Sequence, residues 1–140
     1  MATLKIKNLG GGKLPAYAHD GDAGMDLYST EDTTLSPGQR HAFGTKIAIE
    51  IPIGHVGLIW DKSGLSRNHG IKSMGGVVDS TYRGEIVVTL VNLGAEPYHI
   101  GKGDKIAQIL IQPVVHAKLE ESHELGSSMR GERGFGSNGK

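Results

Sequence analysis

The sequence predicts an all-β fold, a sandwich or a barrel. Three observations carry that expectation. Glycine is abundant (22 of 140 residues), the charged runs of long helices are missing, and apolar residues recur at strand period between turn signals. Those signals return about every 8–12 residues, the spacing of short antiparallel strands.

The elements follow in order. TLKIK near the start and QRHAF (39–43) read as short strands. TKIAIEI (45–51) alternates, with Thr45, Ile47, Ile49 and Ile51 on one face and Lys46, Ala48 and Glu50 on the other. The turn PIG (52–54) leads into a strand at HVGLIWD (55–61). SGLSRNHG (63–70) reads as a short helix, capped by Ser63 and ended by Gly70. GGVVDSTYRGEI (75–86) reads as a tight hairpin. EIVVTLVNL (85–93) is β-branched and nearly continuous, the pattern of a strand covered on both faces. After the turn GKGD comes a strand at KIAQILIQPVV (105–115), and HAKLEESHEL (116–125) suggests a turn of helix. The glycine-rich end from Gly126 holds no fixed shape by composition. One domain is expected: a β-fold over residues 1–125 and a flexible arm over 126–140.

Composition excludes several classes. Fifteen basic and fifteen acidic residues balance to a net charge of zero, which argues against bulk electrostatic binding to nucleic acid or membrane. The absence of cysteine removes disulfides and thiolate metal sites and fits a reducing compartment. MATLKIKNLG lacks the apolar core of a signal peptide, and the longest apolar run, IAQILI, is interrupted by Gln108. A soluble, cytoplasmic protein is the resulting expectation.

Five stretches spend residues that packing does not need. In AGMDLYS (23–29), Asp26 stands between Met25 and Leu27, either facing outward or buried against a partner that offsets its charge. In WDKSGLSRNHG (60–70), Lys62, Ser63 and Gly64 open the helix, either as an ordinary cap or as an anion site. In GGVVDSTYRGEI, the turn exposes backbone amides and carbonyls able to read the edge of a base. There Asp79 can accept a proton from water and Tyr82 can lie against a flat ligand, or both serve the turn itself. Gln108 either faces solvent or reaches a polar site. In the arm, Arg130 and Arg133 are phosphate forks and Phe135 a stacking surface, unless the segment is a disordered tail. The seven histidines are scattered, and no Walker or dinucleotide fingerprint occurs.

In order and spacing, AGMDLYS, KSGLSRNHGI, GGVVDSTYRGEI, GDKIAQILIQP and RGERGFGSNGK resemble the five motifs of the trimeric dUTPase family. The resemblance runs from about residue 23 to the C-terminus. It implies a jelly-roll β-barrel of β-clip type, and a homotrimer with active sites at subunit junctions. It also implies hydrolysis of dUTP to dUMP and diphosphate, which limits uracil in DNA and supplies dUMP for dTMP synthesis. Magnesium is implied, bound through substrate phosphates and water with Asp26 nearby rather than by direct protein ligands. Carried over by residue, Asp79 resembles the base that deprotonates the attacking water, and Tyr82 the ring beneath the deoxyribose. Ser73, Gly75 and Val77 resemble the uracil-reading backbone. Lys62, Ser63, Gly64 and Gln108 resemble phosphate contacts. In the arm, Arg130 resembles the γ-phosphate ligand, Phe135 the ring stacked on uracil, and Gly136 and Ser137 further phosphate contacts.

The chain departs from the family pattern at Lys62, where Arg is common, at Arg133, where Gly is usual, and at Asn138, where Thr or Ser is usual. If position 133 requires positive φ, Arg there costs on the order of 1 kcal/mol. Two rivals share the fold, dCTP deaminase and a non-catalytic regulatory protein. The deaminase needs a glutamate where Thr89 stands here.

Overall fold

The computed structural model describes residues 1–139 and contains ten strands and one short helix. The strands are β1 (Lys5–Asn8), β2 (Gly24–Tyr28), β3 (Thr33–Leu35), β4 (Arg40–Glu50), β5 (His55–Trp60), β6 (Ile71–Met74), β7 (Val77–Val78), β8 (Glu85–Asn92), β9 (Tyr98–Ile100) and β10 (Lys105–Pro113); α1 (Ser63–His69) follows β5. They form two four-stranded sheets, β1-β4-β8-β6 and β2-β10-β5-β7, with a ribbon of β3 and β9, all antiparallel. This is the jelly-roll arrangement. One core fills it, with Leu27, Leu35, Phe43, Ile47, Ile49 and Ile106 among its most buried members. No helix of the described residues is long and apolar enough to cross a membrane.

Several local expectations change, each for a physical reason. QRHAF and TKIAIEI are one strand, β4, interrupted by a bulge between Gly44 and Ala48. Lys46 takes φ 55° there and its N–H donates to Glu85 Oε2 at 2.9 Å, while Phe43, Thr45, Ile47 and Ile49 stay buried on both sides of the bulge, so the two segments are one strand. β8 alternates buried and more exposed residues instead of being covered on both faces: Ile86, Val88, Leu90 and Asn92 point inward, while Val87 is 44% exposed. No ladder joins β6 to β7 or β7 to β8. β6 pairs with β8 in one sheet and β7 with β5 in the other, so the stretch expected to be a hairpin is a crossover between sheets. Gly70 ends α1 with φ 68°, as expected, but no side chain caps its start, and Lys62 rather than Ser63 holds the cap position. Residues 116–125 contain no helix.

Asn92, the buried inner end of β8, holds the ribbon to the main body. Its Nδ2 donates to the carbonyls of Leu35 (2.9 Å) and Glu96 (2.8 Å), and its Oδ1 accepts from Gly94 N–H at 2.8 Å. An apolar replacement leaves those groups without partners. Asn92→Ala should lower unfolding free energy by about 3 kcal/mol, read as a lower urea midpoint at unchanged slope.

Candidate active site

Strand pairing brings the first, second and fourth motifs together. In the sheet β2-β10-β5, Gln108 of β10 lies opposite Asp26 of β2 on one side and Trp60 of β5 on the other. Side chains opposed across strands share a face, so these three form a row. Beside it lies a cleft of about 410 Å³ whose walls include Gly24, Trp60, Asp61, Lys62, Ser63 and Gln108. Gln108 is half-buried, and its Nε2 donates to the carbonyl of Asp61 at 2.8 Å. Gly24 makes room for it, since a Cβ at position 24 would overlap the Gln108 amide. Gly64, at the open first turn of α1, has nothing within 4 Å of where a Cβ would stand.

Asp26 is 2% exposed, the buried alternative of the two the sequence allowed. One carboxylate oxygen meets Lys62 Nζ at 2.5 Å and the other Lys105 Nζ at 2.9 Å. Its backbone N–H donates to Ala16 at 2.9 Å. Burial alone would push this carboxyl up, but the hydrogen bonds and charges of the two lysines outweigh burial and hold it below the ordinary aspartate range. The pairing tethers Lys62, so the residue that departs from the family's arginine is an aimed cation beside the cleft and not a free one. Lys105 escaped notice in the sequence; the signal was a lysine opening a strand that must pass the buried aspartate.

The third motif lines a different cleft, of about 220 Å³. Gly76, Val77, Asp79, Tyr82 and Val87 are among its walls. Asp79 is exposed there, and its carbonyl accepts from Tyr82 N–H at 3.1 Å in a tight turn. Tyr82 donates its hydroxyl to the Glu85 carbonyl at 2.8 Å, which lays its ring back along the turn. Gly84 permits that pose, because a Cβ there would collide with the ring and hydroxyl. Gly76, at φ 110°, packs on β5: its carbonyl accepts from Ile59 N–H at 2.8 Å, and a Cβ would stand 2.8 Å from the Ile59 carbonyl. The resemblance marked the backbone around Ser73, Gly75 and Val77 as base-reading without marking Gly76 as the residue that lets it lie against β5. Ser73 and Gly75 line neither cleft.

The two clefts have no lining residue in common. Ile59 borders one and Trp60 the other, as adjacent strand residues facing opposite ways must. Among the described residues, the arm adds to neither. Arg130 donates to the carbonyls of Arg133 (2.7 Å) and Gly134 (2.8 Å), and Arg133 donates back to those of Arg130 (3.0 Å) and Met129 (2.9 Å). Phe135 is fully exposed, and Gly136 takes φ 83°. Arg133 has no positive φ; Lys46 alone among the described non-glycine residues does. Ser137 Oγ is enclosed without a partner. Lys140, the last residue of the expected arm, lies outside the described residues.

Among the described residues, no three His, Asp or Glu side chains converge as a metal cradle. Both oxygens of Asp26 already serve lysines. The donors do not fit a divalent ion held by the protein itself; they are compatible with one that arrives on phosphate oxygens and keeps its waters.

Because Asp26 is held low by its partners, it stabilises the fold above the ordinary aspartate range, and that contribution is lost as pH falls through the lowered value. Asp26→Asn should cost about 2–3 kcal/mol near pH 7, less than a fully buried pair because both lysines are partly wet. The gap between wild type and variant should close below about pH 4, measured by denaturant unfolding across pH.

The dUTPase family model matches residues 11–139. The deoxyuridine 5'-triphosphate nucleotidohydrolase of Anaeromyxobacter sp. (strain Fw109-5) is 46% identical over 144 residues, covering 99% of this chain and 98% of its own. That of Clostridium tetani is 47% identical over 141 residues, covering 99% and 97%. Among solved structures, the dUTPase of Staphylococcus bacteriophage 80alpha with dUPNHPP matches with a TM-score of 0.93 at 30% identity over 100% of both chains. A mutant dUTPase from phage phi11 of S. aureus, described with a coordinated structural Mg(II) ion, matches with a TM-score of 0.82 at 27% identity, over 88% of this chain and 98% of that one.

Proposed function

The chain belongs to the dUTPase family, and from that premise we propose that it hydrolyses dUTP to dUMP and diphosphate with Asp79 as base. The observation that carries the roles is the cleft where exposed Asp79 and the laid-back Tyr82 ring meet the glycine turn. In this reading the backbone from Ser73 through Gly75 to Val77 takes the uracil edge, and the Tyr82 ring supports the sugar. Asp79 takes a proton from a water whose oxygen bonds to the α-phosphorus. The bridging oxygen leaves with diphosphate and the bond's electron pair.

The triphosphate belongs to the other cleft. Lys62, aimed by Asp26, supplies positive charge. The Gln108 amide, Ser63 and the open first turn of α1 at Gly64 supply further contacts. Magnesium, carried on the phosphates, would neutralise part of their charge. Positioning and charge neutralisation carry most of the rate in such chemistry.

Base and phosphate subsites that share no lining residue suggest a site completed between copies of the chain, consistent with a homotrimer. The partly exposed outer row of β8, with Val87 its most exposed apolar member, offers a surface for such contact. Residues 126–140 act as a separate arm over the body formed by 1–125. Its arginines leave their own carbonyls so that Arg130 meets the γ-phosphate, Phe135 covers the base, and Gly136 and Ser137 close on phosphate. Such an enzyme works beside the nucleotide pool in the cytoplasm, where it keeps uracil out of DNA and provides dUMP. Thr89, half-buried on β8, offers a hydroxyl where a deaminase needs a carboxylate.

Asp79→Asn should lower kcat on dUTP by at least about a hundredfold while a non-hydrolysable dUTP analogue still binds; near-normal turnover would remove Asp79 from the base role. Deleting residues 130–140 should depress hydrolysis at unchanged unfolding midpoint. The shared site has its own check. Sedimentation should give three chains, and co-refolding inactive Asp79→Asn with inactive Gln108→Ala should restore about a quarter of wild-type activity, because sites drawing each half from a different copy can be intact. A mixture as dead as its components would place the whole site in one chain.

A further inference from the structure

Asp61 belongs to none of the roles above, yet it contacts both sheets. It follows β5 and precedes the cap of α1. Its Oδ1 accepts the backbone N–H of Ser73 at 2.6 Å, its Oδ2 pairs with Lys72 Nζ at 2.9 Å, and its carbonyl accepts from Gln108 Nε2 at 2.8 Å. Ser73 lies on β6, the edge of its sheet, so the Asp61 carboxylate supplies an acceptor on the side that has no neighbouring strand.

The contacts run in register. Val78 and Val77 pair with Gly57 and Leu58, Gly76 accepts from Ile59 N–H, and Ser73 donates to Asp61. The segment from Ser73 to Val78 is therefore laid along residues 57–61, and Asp61 fastens its far end. Gly75 and Gly76, with φ of 71° and 110°, lie inside that fastened length and would otherwise be free to swing.

We propose that Asp61 is a positioning residue that sets base selectivity. Its carboxylate holds the Ser73–Val77 backbone rigid enough to exclude a methyl group at C5 of the pyrimidine. This rests on the assignment of that backbone to the base. The split between side chain and main chain gives the role a signature. Replacing the side chain frees Ser73 but leaves the Asp61 carbonyl for Gln108, so triphosphate binding chemistry survives while base discrimination falls. Burial alone would raise the Asp61 carboxyl, but the hydrogen bonds from Ser73 and the charge of Lys72 hold it low, so both of its oxygens stand ready to accept.

The experiment compares kcat and KM on dUTP and on dTTP, the same triphosphate with the C5 methyl, for wild type and variants. Asp61→Ala should raise KM for dUTP about tenfold and cut the dUTP-to-dTTP ratio of kcat/KM about tenfold, with kcat on dUTP changed far less. Asp61→Asn should recover most of the ratio, because its amide oxygen still accepts from Ser73. Lys72→Met should leave the ratio near wild type. A folded Asp61→Ala chain with the wild-type ratio, a loss confined to kcat, or an asparagine variant no better than alanine would overturn the role. Should the alanine chain not fold, Asp61→Glu keeps the charge and displaces the oxygens; a reduced ratio supports the role and an unchanged one overturns it. The wild-type rate on dUTP reports on the underlying activity, whereas only variant-to-wild-type ratios report on Asp61.

Discussion

A single buried carboxylate organises this molecule's polar end. Asp26 sits in a strand whose residues from Met25 to Tyr28 are all buried, where an unpaired charge would be untenable. Two ammonium groups resolve that, one from the start of β10 and one from the turn after β5. In meeting them, Asp26 ties three strands at the same level and draws Lys62 to the edge of a cleft. The requirement to satisfy one charge thus also aims another. Gln108, opposite Asp26 in the ladder, inherits its position from the same register.

β5 is the second organiser. It pairs with β10 on one side and with the two-residue β7 on the other, and beyond its end Asp61 reaches into the opposite sheet. The turn from Ser73 to Val78 therefore has little structure of its own. It is a glycine segment held against a strand by backbone bonds, which makes it stiffer than side chains alone would be. Stiffness matters because discrimination by one methyl group is worth only about 1–3 kcal/mol in a pocket that yields.

The sequence disclosed different things to different degrees. The turns PIG and GKGD placed β5 and β10 closely, and glycine at position 70 marked the end of α1. The bulge at Lys46 was invisible because Phe43, Thr45, Ile47 and Ile49 keep their inward alternation through it, and only the pairing with β8 reveals it. The crossover at 75–86 read as a hairpin because turn glycines mark a reversal without saying which sheet receives the chain. At the site, Asp26, Lys62 and Gln108 were legible by type and order. Their mutual arrangement was not, because it arises from pairing between strands as far apart in sequence as residues 26 and 108. Asp61 passed unnoticed for the same reason: its partners Ser73 and Gln108 are remote in sequence, and an acidic residue beside a lysine ordinarily means an exposed pair.

Trp60 is the chain's one tryptophan. It is 55% exposed, lines the Lys62 cleft and lies across the ladder from Gln108. An indole emits according to the polarity and charge around it, and no other indole in the chain competes with this one. The intrinsic fluorescence of the protein is therefore a signal from that cleft, so whatever enters or leaves it has an optical readout that requires no label.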